Sequence, residues 1–224
     1  MINDVKGRLW KVNTSDFSAK VLFEYHSKEI TGIAVSDAYN MAVTCGGDGM
    51  VKVWDYLRAE VYYSQKFLGR ANCVDIMRRS EMNKGRVIAC GFETGILRIL
   101  QLTDSQIEIA MVMKAHDDPI EFALYSPNQL TLITASKSGE IFFFDVNGHL
   151  ELGKCVPICL LILKNCKRIN DIKWDTTSSR IIVACENGYI YEIERPDPMS
   201  LDTSDSYHIV DYPMRTWKMK MMEF

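Results

Sequence analysis

Thr44 to Asp55 reads TCGGDGMVKVWD. The apolar run Met41-Ala-Val-Thr44 leads into it, a Gly-Gly-Asp-Gly turn follows, and an alternating stretch from Met50 to Trp54 closes on Asp55. Strand, glycine turn and strand predict a β-hairpin, because Gly and Asp tolerate the positive φ that such turns need.

The hairpin recurs along the chain. Shifted by 90 residues, His26 falls on His116, Ile30 on Ile120, Ser36 on Ser126, Thr44 on Thr134, Gly49 on Gly139 and Asp55 on Asp145. That shift is two periods of about 45, the length of a four-stranded propeller blade. Turn glycines at Gly7, Gly49, Gly95, Gly139 and Gly188 mark the repeat. The division that follows is a partial blade over 1–25, blades over 26–70 and 71–114, a blade with linker over 115–167, a blade over 168–212, and the start of a C-terminal helix over 213–224.

Within these units the expected strands are Ile30–Val35, Met41–Thr44, Val51–Trp54 and Glu60–Tyr63, then Asn72–Met77, Val87–Cys90, Ile96–Leu100 and Ile107–Val112. The third unit is expected to pair Ile120–Tyr125, Thr131–Thr134, Glu140–Phe144 and Leu150–Lys154, with Val156 to Lys167 as a linker. The fourth is expected to pair Asn170–Trp174, Arg180–Ala184 and Tyr189–Glu194, with Tyr207–Val210 as its outer strand. After Pro213 the Met- and Lys-rich stretch is full of helix formers.

Composition sets the functional bounds. The chain has 224 residues, 47% of them apolar and 25% charged, which is globular. A net charge of −3 offers no field for nucleic acid or an anionic membrane. Seven cysteines without a CxxC pair predict a reducing, cytoplasmic compartment rather than a disulfide framework. The longest apolar run, Cys155 to Leu163, is too short to span a bilayer.

The Asp-Gly turn and the terminal Trp-Asp resemble the signature of the WD-repeat (WD40) family. The resemblance implies an all-β propeller, with about four blades here plus a partial leading one. In that family an opening His, a second-strand hydroxyl, the turn Asp and the third-strand Trp form a hydrogen-bond network. The matching residues are His26, Thr44, Asp48 and Trp54, with His116 and Thr134 as a partial copy whose turn residue is Ser138 and whose strand ends in Phe144. Four units are too few for the usual seven-bladed ring, which predicts an incomplete ring: a fragment or isoform that forms the C-terminal part of a larger propeller, the favoured reading, or an open arc of the four-plus units. The Cys185–Glu194 strand pair, the Pro-acidic loop, Tyr212-Pro-Met-Arg and the Met/Lys segment resemble the large cilia- and flagella-associated WD-repeat proteins. In those, propellers precede coiled coils. That resemblance implies a non-catalytic axonemal scaffold, tethering dynein motors to doublet microtubules and needed for motility, with other proteins as partners and no cofactor or small-molecule substrate. The alternatives are a general cytosolic adaptor and, remotely, a propeller-borne hydrolase.

Other constellations carry less. His26, Thr44 and Asp48 have the residue types of a catalytic triad, but the hydroxyl sits in a strand and lacks a Gly-x-Ser-x-Gly elbow. Cys155, Cys159, Cys166 and His149 have a spacing zinc uses, yet these thiols lie in apolar sequence, where Cys is a packing residue. Arg78-Arg79 and Lys167-Arg168 are too sparse for a nucleic-acid stripe.

Overall fold

The computed structural model describes residues 2–3, 8–79, 85–146, 155–197 and 214–218. Every regular element among them is a strand. The first sheet has three strands, β1 (Ile2–Asn3), β2 (Arg8–Val12) and β3 (Ala19–Glu24), in that order. Four sheets of four antiparallel strands follow. They are β4 (Ile30–Val35) to β7 (Glu60–Lys66), β8 (Ala71–Ile76) to β11 (Ile107–Lys114), β12 (Ile120–Tyr125) to β15 (Val156–Ile162), and β16 (Ile169–Trp174) to β19 (Met214–Lys218). Each is a meander in which chain order equals spatial order. These sheets are WD40-type propeller blades, and they do not close a ring.

The sequence of each strand follows from its place. The second strands β5 (Met41–Gly46), β9 (Val87–Phe92) and β13 (Thr131–Ser136) are buried at every position. Both faces are covered, so they read as continuous apolar or small runs instead of alternating. Outer strands face solvent on one side and alternate, as in β7. Hydrophobic cores lie between the sheets. One joins Val43 and Val53 to Val74 and Phe92, a second joins Ala89 and Leu97 to Ile120 and Phe144, and a third joins Ile133 and Phe143 to Ile172 and Ile181.

Inner strands share a device. Each has a register shift at its second residue, namely Thr31 in β4, Asn72 in β8, Glu121 in β12 and Asn170 in β16. A bulge re-aims the side chain it carries. Thr31 Oγ1 donates to the carbonyl of Ala71 at 2.5 Å, and Asn72 Nδ2 donates to that of Ile120 at 3.1 Å, each pinning one blade to the next. Asp75 adds a second pin by accepting the amide of Tyr125 at 2.7 Å.

Two sequence expectations are corrected. The outer strand of the third four-stranded sheet is β15 (Val156–Ile162), where a linker was expected. Pro157 lies opposite Phe144 at a register shift in this outer strand, where a missing amide costs no ladder bond. Leu150–Lys154, the expected strand, lies outside the described residues, as do Gly7, His149 and Tyr207–Val210. The expected C-terminal helix start is also replaced, because Met214–Lys218 is strand β19, paired with β18 (Tyr189–Glu194) from Tyr189 opposite Lys218 to Ile193 opposite Met214. Helix propensity is worth only a few tenths of a kcal/mol per residue. Satisfying the amides and carbonyls along β18 outweighs it.

Candidate functional site: ties between loop and hairpin

Each blade must fix the loop that enters its inner strand against the turn that follows its second strand. In the sheet of β4 to β7 the turn is Gly46 to Gly49, with φ of +75° at Gly49 and its amide donating to the Gly46 carbonyl at 3.0 Å. Asp48 in this turn accepts the Met50 amide at 3.0 Å and the Ser27 amide at 2.8 Å. His26, four residues ahead of β4, places Nδ1 3.0 Å from Asp48 Oδ1 and Nε2 2.8 Å from Thr44 Oγ1. Trp54 Nε1 donates to the same Thr44 oxygen at 2.8 Å.

The proton order follows from the inventory of donors. A carboxylate only accepts, so His26 donates from Nδ1 and accepts at Nε2; Thr44 then donates to the imidazole and accepts from the indole. All four side chains are satisfied by one another. Burial pushes the Asp48 carboxyl up, but the hydrogen bonds from His26 and from the Met50 and Ser27 amides prevail and hold it below its ordinary value. Thr44 is buried and its oxygen is saturated, so the triad-like set has no hydroxyl to offer a substrate.

In the third blade His116 Nε2 lies 2.8 Å from Thr134 Oγ1, and the carboxylate comes from Glu140, whose Oε2 is 3.3 Å from Nδ1. Glu140 opens β14 (Glu140–Asp145), two residues beyond Ser138, and sequence reasoning missed it. It stands at the first position after the turn glycine, one that the Asp-Gly turn signature does not include. Burial pushes the His116 imidazole below its ordinary value, against the opposing pull of Glu140. Phe142 meets this imidazole edge-on at 6.0 Å. Ser138 bonds Ser136, 2.9 Å between hydroxyls, instead of the histidine.

The second blade has Phe67 four residues ahead of its inner strand, where the first has His26. Phe67 packs edge-on against Phe92 at 5.6 Å. The Arg98 guanidinium covers both rings, 4.2 Å from Phe92 and 5.2 Å from Phe67. Cation–π contact thus stands where the first blade has its polar network. The fourth blade ties Glu186 N to the Arg168 carbonyl at 2.8 Å and Asn187 Nδ2 to the Asn165 carbonyl. Gly95, Gly139 and Gly188 have φ of +73°, +93° and +79°, so their turns repeat that of Gly49.

The thiols of the zinc-like spacing separate. Cys155 packs between the second and third blades, Cys159 between the third and fourth, and Cys166 lies 2.8 Å from Cys185. Among the described residues no three His, Cys, Asp or Glu side chains are grouped as a metal would need. A groove of about 600 Å³ opens between the first and second blades, at the end away from the glycine turns, lined by Tyr39, Leu57, Arg58, Tyr62 and Arg86. Among the described residues no helix is long and apolar enough to cross a membrane.

Four-stranded meanders with a shared glycine turn, packed face to face through bulged inner strands, are the architecture of WD40-type propeller blades. The WD domain, G-beta repeat family matches residues 18–55, the stretch that holds the complete network. Cilia- and flagella-associated protein 44 of Mus musculus is 26% identical over 229 residues, covering 90% of this chain and 12% of that protein. Its namesake in Trypanosoma brucei brucei is 23% identical over 186 residues, covering 82% of this chain and 10% of that protein. WD repeat-containing protein 90 of Xenopus tropicalis is 24% identical over 148 residues, covering 63% of this chain and 8% of that protein. The chain therefore spans about an eighth or less of the length of these relatives.

Proposed function

We propose that this chain is part of a non-catalytic scaffold of cilia and flagella, located in the axoneme, where it helps tether dynein motors to doublet microtubules. The observation that carries the reading is the likeness to Cilia- and flagella-associated protein 44 over 90% of the chain. The dynein and microtubule partners rest on the resemblance of the hairpins and C-terminal stretch to that class. The chemistry of the site supports a docking role. The two imidazole, hydroxyl and carboxylate sets described above, at His26 and at His116, are engaged internally. What remains for partners is the rigid rim, including exposed Lys28, Lys66 and Leu68 beside the turns and the Tyr39–Arg86 groove at the other end. The scaffold takes protein partners and no cofactor, nucleic acid, lipid or small-molecule substrate.

Cross-linking mass spectrometry on isolated axonemes tests this. The expected result is cross-links from Lys28 or Lys66 to dynein or doublet-associated subunits. Cross-links confined to soluble trafficking complexes would overturn the axonemal reading in favour of a cytosolic adaptor.

A further inference from the structure

The fourth blade holds a feature that a docking role leaves unused. Cys166 lies in the loop that enters β16, and Cys185 ends β17 (Arg180–Cys185). Their sulfurs are 2.8 Å apart. Cys185 is buried and Cys166 half-buried.

Their proximity is enforced from several directions. The Glu186 amide donates to the Arg168 carbonyl at 2.8 Å, and the register pairs Ile169 with Cys185. Lys167 reaches Glu186 at 3.1 Å, Asn187 donates to the Asn165 carbonyl, and Tyr191 donates to that of Lys164. The loop is thereby held on the hairpin at positions 164, 165, 167 and 168, on both sides of Cys166. Gly139 of the neighbouring blade closes over it, leaving 3.1 Å between the Cys166 Cβ and a Cβ built at that glycine. A pair this fixed reacts with a high effective concentration. Closing the sulfurs to the bond length of about 2.05 Å needs a shift of under about 1 Å.

We propose that Cys166 and Cys185 are a dithiol site that low-molecular-weight disulfides oxidise to an intramolecular disulfide, locking the entry loop of the fourth blade to its hairpin. The Cys166 thiolate attacks one sulfur of the small disulfide and releases one thiol, forming a mixed disulfide. The Cys185 thiolate then attacks Cys166 Sγ and releases the second thiol. The protein loses two protons and two electrons, and one small disulfide becomes two small thiols. Cys166 is the entering nucleophile because it is the one within reach of solvent. Burial pushes the Cys185 thiol up to about 12 and raises that of Cys166 as well, so both are protonated at neutral pH and the exchange is slow. The lock is a covalent counterpart of the tie that His26 and Asp48 make in the first blade.

The test is incubation of the purified full chain with oxidised glutathione, followed by thiol counting and non-reducing peptide mapping. The expected product has lost two of its seven thiols and carries a Cys166–Cys185 cross-link that dithiothreitol reverses. Its rate of formation rises about tenfold from pH 7 to pH 8, as the thiolate fraction does. Cys185→Ser is expected to stop at the mixed disulfide on Cys166, and Cys166→Ser to leave Cys185 unmodified. The idea is overturned if wild type retains a stable glutathione adduct on Cys166, or if the cross-link forms among Cys45, Cys73 and Cys90. Retention of all seven thiols at pH 8, in protein whose melting curve is intact, would also overturn it.

Discussion

His26 and His116 begin equivalent loops, yet they lean on different acids. His26 bonds Asp48, a carboxylate inside the turn, and shares Thr44 with an indole. His116 bonds the half-buried Glu140 at a longer 3.3 Å and shares Thr134 with no indole. Removing a histidine leaves its buried partners unsatisfied, at about 1–3 kcal/mol per group and more beside a charge. His26→Ala is therefore expected to cost about 3–4 kcal/mol and His116→Ala about 2 kcal/mol, measured by urea unfolding. Equal losses would show that the indole and the turn acid add nothing. The first histidine, hydroxyl, acid and indole were legible because they stand at fixed distances from a Gly-Gly-Asp-Gly turn. Glu140 was not, because its acid lies beyond the turn and only the register of β14 brings it back toward the loop.

Asp75 is a second residue whose surroundings set an outcome. It accepts the amide of Tyr125 across the blade boundary, and burial pushes its carboxyl up to about 6 against the pull of that amide, of the Ile76 amide and of Arg78. A carboxyl raised in the folded state binds its proton more tightly there than in the unfolded chain. Stability is therefore full below the unfolded value of about 3.9 and declines as pH rises to about 6. Asp75→Asn removes the charge and keeps one acceptor oxygen for the Tyr125 amide, giving up the bond that Oδ1 accepts from the Ile76 amide. Its expected effect is to flatten that decline and stabilise the protein by about 1–2 kcal/mol at pH 8, read from unfolding curves at several pH values. An unchanged pH profile would place the carboxylate in contact with water.

Among the elements, the glycine turns are the stiffest demand. A Cβ at Gly95 would stand 2.0 Å from the His116 carbonyl oxygen and 2.9 Å from that of Asp118, and φ there is +73°. Neither obstacle is the end of a flexible side chain. Gly95→Ala is expected to cost about 3 kcal/mol or more, against a smaller loss for Ala at Gly47, where the nearest atoms are the end of the flexible Glu29 side chain. Equal melting temperatures for the two variants would contradict this. Glycine spacing made these turns legible, and apolar runs made β5, β9 and β13 legible. Two outer strands were hidden. Pro157 disguised β15 as a linker, and the helix formers of residues 214–218 disguised β19, because local preference is silent about a waiting sheet edge. If β19 covers that edge, amides of β18 exchange slowly in the full chain. They are expected to speed at least tenfold when the chain is shortened to end at residue 213, as read by hydrogen exchange.

Across the whole molecule, the two end faces differ. The first, fourth and sixth residues of β8 and β12 are buried, among them Val74, Ile76, Ile120 and Ala123, and they belong to the cores shared with the preceding blade. The same positions of β4 are Ile30, Ile33 and Val35, exposed by 59%, 66% and 58%. On β16 the opposite face presents Asn170, Asp171 and Lys173, all exposed and polar. An apolar patch of this kind is sticky. Ile33→Lys is expected to change unfolding free energy by less than about 0.5 kcal/mol while lowering self-association, as read by sedimentation velocity. A large stability loss would mean that the face is already covered.

We propose these blades as a scaffold in the axoneme. That proposal is tested most directly by tagging the endogenous protein and imaging cells before and after detergent extraction. The expected signal runs along cilia or flagella and survives extraction with the doublet microtubules. A signal confined to the cell body and washed out by detergent would contradict it.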